Sequence, residues 1–131
     1  FKTRVINFVS KKNNYFISED YKNFLNKIRL LTKNHDCIQN FTYDPSMYYL
    51  LNKKSCTQYY LIFVMGTEVD QDRFIEQIIK SELNFIIVDK KNDKTEFPAS
   101  IRFPKINKFL LENFVEYKEL NKYKILKKIN E

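Results

Sequence analysis

The stretch "CIQNFTYDPSMYYLLNKKSCTQYYLIFVMG", Cys37 to Gly66, decides the fold. It opens with "CIQNFTY" (37–43), a short run that reads as a strand. Asp44-Pro45 then starts a helix. Asp caps it, and Pro takes the first helical position, where a backbone N–H has no partner anyway. The helix is expected to reach about Leu51 and to stop at "NKKS". "TQYYLIFVM" (57–65) is apolar on both faces. That pattern predicts a central parallel strand buried between two helix layers.

Working outward, residues 1–17 form a lead-in with no clear assignment. A helix is predicted from about Glu19 to Lys33, with Ser18 as its N-cap and Glu19 and Asp20 at its positive end. Tyr21, Phe24, Leu25, Ile28 and Leu31 recur at helical spacing and form its apolar face. On the other side, Gly66 ends the apolar run and Thr67 caps a helix, with Asp70 in a capping-box position. Phe74, Ile75, Ile78, Ile79 and Leu83 are its buried stripe, and "NFIIVD" (84–89) is a second buried strand. "KKNDKTEFPAS" (90–100) is a polar excursion. Pro104 opens a last helix with Ile106, Phe109, Leu110, Phe114 and Tyr117 on one side. "KYKILKKI" (122–129) alternates and carries lysines, as an edge strand does. The expectation is an α/β fold: a three-layer sandwich with a small, mainly parallel sheet of about four strands flanked by helices. The last strand is the one free to run antiparallel.

The 131 residues fit a single domain over 1–131, with a globular core over 18–131. Phe1 is not a start methionine, so the chain reads as a mature product or a piece of a larger protein. No signal-peptide pattern is visible. The longest apolar run, Tyr59 to Met65, is far short of the roughly 20 residues that span a bilayer. Gly66 is the one glycine, which excludes Gly-rich phosphate loops. The net charge is +7, yet only four of the 23 basic residues are arginine: Arg4, Arg29, Arg73 and Arg102. Nucleic-acid readers lean on arginine for bidentate contacts, so this balance disfavours nucleic acid. Anionic lipid headgroups suit the same charge. Abundant lysine, asparagine and isoleucine also fit a codon bias toward A and T.

Cys37 and Cys56 each precede a predicted strand, and the two strands are joined by a helix. Parallel neighbours start at the same end of a sheet, about 4.8 Å apart. A disulfide needs Cα atoms roughly 4.4–6.8 Å apart. The placement allows a bridge; two buried thiols in a reducing compartment fit it as well. Two cysteines and the lone His35 do not complete a zinc site without carboxylates, so no metal and no cofactor is expected. His35 follows a predicted helix end, where an imidazole serves capping better than catalysis. No Gly-x-Ser-x-Gly, His-Glu-x-x-His or Cys-x-x-Cys motif occurs. Asp44 and Asp89 lie at carboxyl ends of predicted strands, where open α/β sheets place ligands. The candidate crevice is therefore Tyr43, Asp44, Gly66 and Asp89, with Tyr48 and Tyr49 as aromatic faces for a sugar. The plainer roles are capping for Asp44 and sheet packing for Tyr48 and Tyr49. Asn40-Phe41-Thr42 is a formal glycosylation sequon inside a predicted strand.

Thr42, Asp44, Pro45, Tyr48, Tyr49, Leu50, Leu51, Ser55, Cys56, Thr57 and Tyr59 together form a recognisable pattern. It is a short strand, an Asp-Pro turn, "YYLL", then "SCT" with an aromatic leading into an apolar run. This resembles the soluble terminal domains of polytopic C-type glycosyltransferases of the dolichyl-phosphate-mannose–protein mannosyltransferase kind. The likeness covers about residues 37–128. "NKKSC" departs from it, with lysine where such proteins often have proline. The membrane spans and their acidic residues have no counterpart, so no catalytic residue carries over. The resemblance implies that Cys37 and Cys56 are bridged, since an earlier cysteine accompanies the "SCT" cysteine in similar domains. It implies a non-catalytic accessory domain on the periplasmic or extracellular face of a membrane. Its partners would be the membrane-embedded part of the same polypeptide, lipid headgroups, and carbohydrate or polyprenyl-phosphate-linked sugar. Two rivals stand beside it: a small basic cytosolic module for nucleic acid or an acidic partner, and a free-standing α/β enzyme using the strand-end crevice.

Overall fold

A computed structural model describes residues 17–90, 99–120 and 122–129. The lead-in up to residue 16 and most of the 90–100 excursion lie outside those residues. In chain order the elements are α1 (Glu19–Leu31), β1 (Cys37–Phe41), α2 (Ser46–Leu51), β2 (Lys54–Ser55), a 3₁₀ turn (Ile62–Val64), α3 (Glu68–Lys80) and β3 (Phe85–Asp89). They continue with α4 (Ala99–Arg102), α5 (Pro104–Asn113), β4 (Phe114–Leu120) and β5 (Tyr123–Lys128). One sheet runs β2-β1-β3-β5-β4. β1 is parallel to β2 and β3, while β5 is antiparallel to β3 and β4.

Local chemistry accounts for the helix boundaries. Ser18 Oγ accepts the Tyr21 N–H at 3.3 Å and starts α1. Thr67 Oγ1 accepts the Asp70 N–H at 3.1 Å and starts α3. Both satisfy donors that a helix start leaves open. At the far end of α1, Lys53 Nζ donates to Thr32 O at 3.1 Å and to His35 O. A cation there complements the helix dipole. The expected cap was His35; the structure assigns the charge to Lys53, and His35 supplies a carbonyl.

The period of two along the strands builds two cores. Ile87 points with Ile38, Tyr123 and Ile125 toward Phe24, Leu25, Ile28, Met47 and Leu51 of α1 and α2. Ile86 and Phe41 point the other way, toward Phe74 and Ile78 of α3 and Ile106 and Leu110 of α5. The sheet is thus the middle of three layers, as expected. Each fully buried large apolar side chain stabilises the fold by about 1.5–3 kcal/mol relative to exposure.

Three expectations are corrected. Among the described residues the sheet has five strands rather than about four, and it is mixed rather than mainly parallel, with the last strand antiparallel as allowed. Residues 57–65 are not a central strand. Tyr59, Ile62 and Met65 are buried against the α3–α5 core, while Tyr60, Phe63 and Val64 are exposed. That spacing of three belongs to the 3₁₀ turn. Side chains take the backbone groups a neighbouring strand would have taken: Gln39 Nε2 donates to Tyr59 O at 3.1 Å, and Thr57 Oγ1 accepts the Tyr59 N–H at 3.1 Å. Third, the last helix ends at Asn113, and Phe114 and Tyr117 belong to β4. β4 pairs with β5 along its length, with an irregularity between Glu116 and Lys118.

Cys37 and Cys56 form a disulfide with Cα atoms 5.0 Å apart. The parallel neighbours behind it are β1 and the two-residue β2, not the 57–65 run. Cys37 stands opposite Lys54, Ile38 opposite Ser55, and the Cys56 N–H donates to Ile38 O at 3.0 Å.

Candidate functional site

The predicted crevice is built from the loop after β1 and the end of β3. The Tyr43 N–H donates to Asp89 Oδ2 at 3.2 Å, which fastens those two strand ends together. The Tyr43 ring meets Phe63 at 4.9 Å between centroids, and the Arg102 guanidinium lies 5.4 Å from the Phe63 ring. Asp44 sits at the centre of a polar cluster. Its carboxylate accepts from Tyr21 Oη at 2.6 Å, from Tyr123 Oη at 2.9 Å, from the Ser46 N–H at 3.2 Å and from Ser46 Oγ. Asn40 Nδ2 donates to the Asp44 carbonyl at 2.6 Å.

The electrostatics follow from this wiring. Burial works against ionisation of Asp44, but the hydrogen bonds from Ser46, Tyr21 and Tyr123 outweigh it and hold the carboxyl below its usual range. Burial, then the Asp44 carboxylate, push both the Tyr21 and the Tyr123 phenols up. These two tyrosines therefore stay neutral donors at any physiological pH. The cluster holds its charge still; it has no group poised to move a proton near neutrality.

The structure divides the six candidate residues. Tyr43, Asp44 and Asp89 are brought together. Asp44 and Asp89 border two separate clefts, neither lined by Tyr43: one of about 500 Å³ beside Asp44, Ser46, Tyr21 and Lys122, and one of about 290 Å³ beside Asp89, Asn107, Glu116 and Lys124. Tyr48 points inward. Its hydroxyl accepts the Asn40 N–H at 3.0 Å and lies 3.4 Å from Ser55 Oγ, and burial raises its phenol. Tyr49 is exposed and lines a different groove, between α1 and α2. Gly66 is exposed, and a Cβ there would meet nothing within 4 Å, so no close approach requires glycine. The Asn40 of the sequon is buried, with its amide engaged inside the fold. Among the described residues, no group of three or more His, Cys, Asp or Glu is placed to hold a metal ion, and no helix is long and apolar enough to cross a membrane.

No protein-family model matches this sequence, and no curated protein matches it. Among solved structures, the chain is similar to the C-terminal globular domain of an oligosaccharyltransferase from Archaeoglobus fulgidus. The TM-score is 0.50 and the identity 12%, over 86% of this chain and 99% of that one. The two share an α/β architecture; at that identity the likeness is one of fold.

Sequence reasoning missed Tyr21 and Tyr123 as partners of Asp44. Helical spacing puts Tyr21 on the apolar face of α1, where its ring does lie, 5.8 Å from that of Phe24. Its hydroxyl is the part that periodicity cannot see. Tyr123 stands opposite Asp89 in the β3–β5 ladder, a pairing that exists only once the strand order is known.

Proposed function

We propose that this chain is a non-catalytic accessory domain on the extracytoplasmic face of a membrane glycosyltransferase that uses polyprenyl-phosphate-linked sugar. The observation that carries this reading is the fold it shares with nearly the whole of an oligosaccharyltransferase's C-terminal globular domain. Fold alone does not fix function, so the reading draws on two further supports. The Cys37–Cys56 bridge suits an oxidising compartment. The "YYLL" to "SCT" pattern resembles the terminal domains of protein mannosyltransferases and leaves the sugar itself open. The same reading makes residues 1–131 one domain of a larger polypeptide, with that polypeptide's membrane-embedded part as its first partner. The cleft beside Asp44 or the one beside Asp89 then serves to position acceptor or donor.

The test is twofold. The reading frame upstream of Phe1 should encode several spans of about 20 apolar residues. The purified domain should transfer no sugar, while deleting it from the full protein should impair transfer. An upstream start codon with no spans would overturn the membrane assignment; turnover by the isolated domain would overturn the non-catalytic one.

A further inference from the structure

The fold sorts charge to the two ends of its sheet. β1, β2 and β3 are parallel and start at one end, where the antiparallel β5 finishes: Cys37 stands opposite Lys54, and Phe85 opposite Lys127. α1 and α3 bring their last turns to the same end, just before β1 and β3. Lys33, Lys53, Lys54, Lys80, Lys127 and Lys128 therefore gather there, against Asp36 and Glu82. Among the described residues, none of these six lysines meets a carboxylate. The opposite end is balanced by ion pairs: Lys22 with Glu19, Arg73 with Asp70, Lys105 with Asp72 and Lys90 with Glu119. The residues outside the description carry six cations and three acids in the sequence, so they add to the positive charge of the chain rather than offset it.

Helix ends account for part of this excess. A helix C-terminus carries about half a negative charge and favours a cation. Lys53 donates to the Thr32 and His35 carbonyls at the end of α1, and Lys80 lies in the last turn of α3. Lys33, Lys54, Lys127 and Lys128 exceed that need. The patch is broad. From β2 to β5 it crosses three strand spacings, about 14 Å, with helix ends on both sides of the sheet. Lys33, Lys54, Lys80 and Lys128 are exposed, and Ile79 beside Lys80 is 58% exposed. All its cations are lysine. An ammonium is a point charge without the planar fork that reads phosphate and bases in nucleic acid, so it suits diffuse attraction to a charged surface. We propose that this end of the domain docks on a bilayer surface containing anionic phospholipid, with the lysines among the headgroups. The inference deepens the membrane reading and rests on it only for the presence of a bilayer.

The test is co-sedimentation of the oxidised chain with vesicles of phosphatidylcholine alone and of an equimolar mixture with phosphatidylglycerol. The expected result is binding to the mixed vesicles only, weakening as salt rises. The triple variant Lys54→Gln, Lys80→Gln, Lys128→Gln should lose affinity on the order of a hundredfold, about fivefold for each lysine near an anionic surface. Lys90→Gln, Lys105→Gln, Lys122→Gln removes the same charge from the opposite end and should change binding little. Unchanged circular dichroism would show that both variants fold. A spin-labelled lipid in the mixed vesicles should broaden the backbone amides of Lys33, Lys54 and Lys128 before those of Asp20, Asp70 and Lys90. No binding to the mixed vesicles would overturn the proposal. So would equal losses in the two triple variants, or broadening that begins at the opposite end. Tighter binding to duplex DNA than to the mixed vesicles at the same salt would overturn lipid as the partner. None of these failures touches the accessory-domain reading, which upstream spans and turnover decide.

Discussion

Asp44 ties three parts of the chain through one carboxylate: Tyr21 on α1, Ser46 at the start of α2 and Tyr123 on β5. Replacing it with alanine strands two part-buried phenols, and Asp44→Ala should cost about 2 kcal/mol in urea unfolding. Tyr21→Phe removes one bond while keeping the ring, and should cost about 1 kcal/mol. The cluster also predicts a pH dependence. The Asp44 carboxyl is held below its ordinary value in the folded state, whereas in the unfolded chain it titrates near the ordinary aspartate value of about 3.9. Its contribution is therefore complete above that value. It is lost as pH falls through the lower, folded value, because the unfolded chain then binds the extra proton. Unfolding midpoints measured from neutral pH down to pH 3 should fall less steeply in Asp44→Asn than in the wild type. The local half of this role was legible in Asp44-Pro45-Ser46, one residue out of place: α2 begins at Ser46 with Pro45 in the cap position, and Asp44 Oδ1 accepts the Ser46 N–H from just before it. The tyrosine half was not, because it spans 23 residues to Tyr21 and 79 to Tyr123.

Among the elements, caps and short amphipathic helices were readable and the long apolar run was not. Ser18, Thr67 and Pro104 each mark a helix start through a local preference, and α1, α3 and α5 begin where those residues put them. Residues 57–65 have the composition of a buried strand but, among the described residues, no strand to pair with. Gln39, Ser55 and Thr57 satisfy the Tyr59 backbone from the side instead. Gln39 is buried and serves both Tyr59 O and Ser55 Oγ. Gln39→Ala should therefore cost about 2–3 kcal/mol by leaving those groups unpaired. It should also speed amide exchange in the 57–65 segment, measurable by hydrogen–deuterium exchange. β4 was hidden for a related reason. The apolar spacing of α5 continues through Phe114 and Tyr117, so period alone extends the helix. Only the antiparallel partner β5 decides otherwise.

For the whole molecule, the three-layer class followed from alternating helical and strand periods, while strand order did not. The order β2-β1-β3-β5-β4 rests on pairings between residues distant in sequence. The disulfide was allowed by placement and implied by resemblance. In oxidised native protein, iodoacetamide should label neither Cys37 nor Cys56, as read by intact mass. The double Cys→Ser variant should unfold about 3 kcal/mol more easily, the loop-closure value for a span of this length. Net charge was a poorer guide. Lys22, Lys105 and Lys124 are each paired to carboxylates on the surface. Electrophoretic shift of DNA or RNA at low salt should be absent; salt-sensitive binding would favour the basic-module alternative.

The bridge lies at the β2 border of the sheet, where the last pairing is only two residues long. A border that short gives an incoming strand almost no template, and the covalent tie keeps it from fraying into a longer one. The opposite border, β4, is seven residues long and exposed over most of its length. Glu116, Lys118 and Glu119 and the register irregularity interrupt it. Among the described residues, strand addition to this sheet, by a partner segment or by misassembly, thus has one side to choose from, and charge governs what that side accepts.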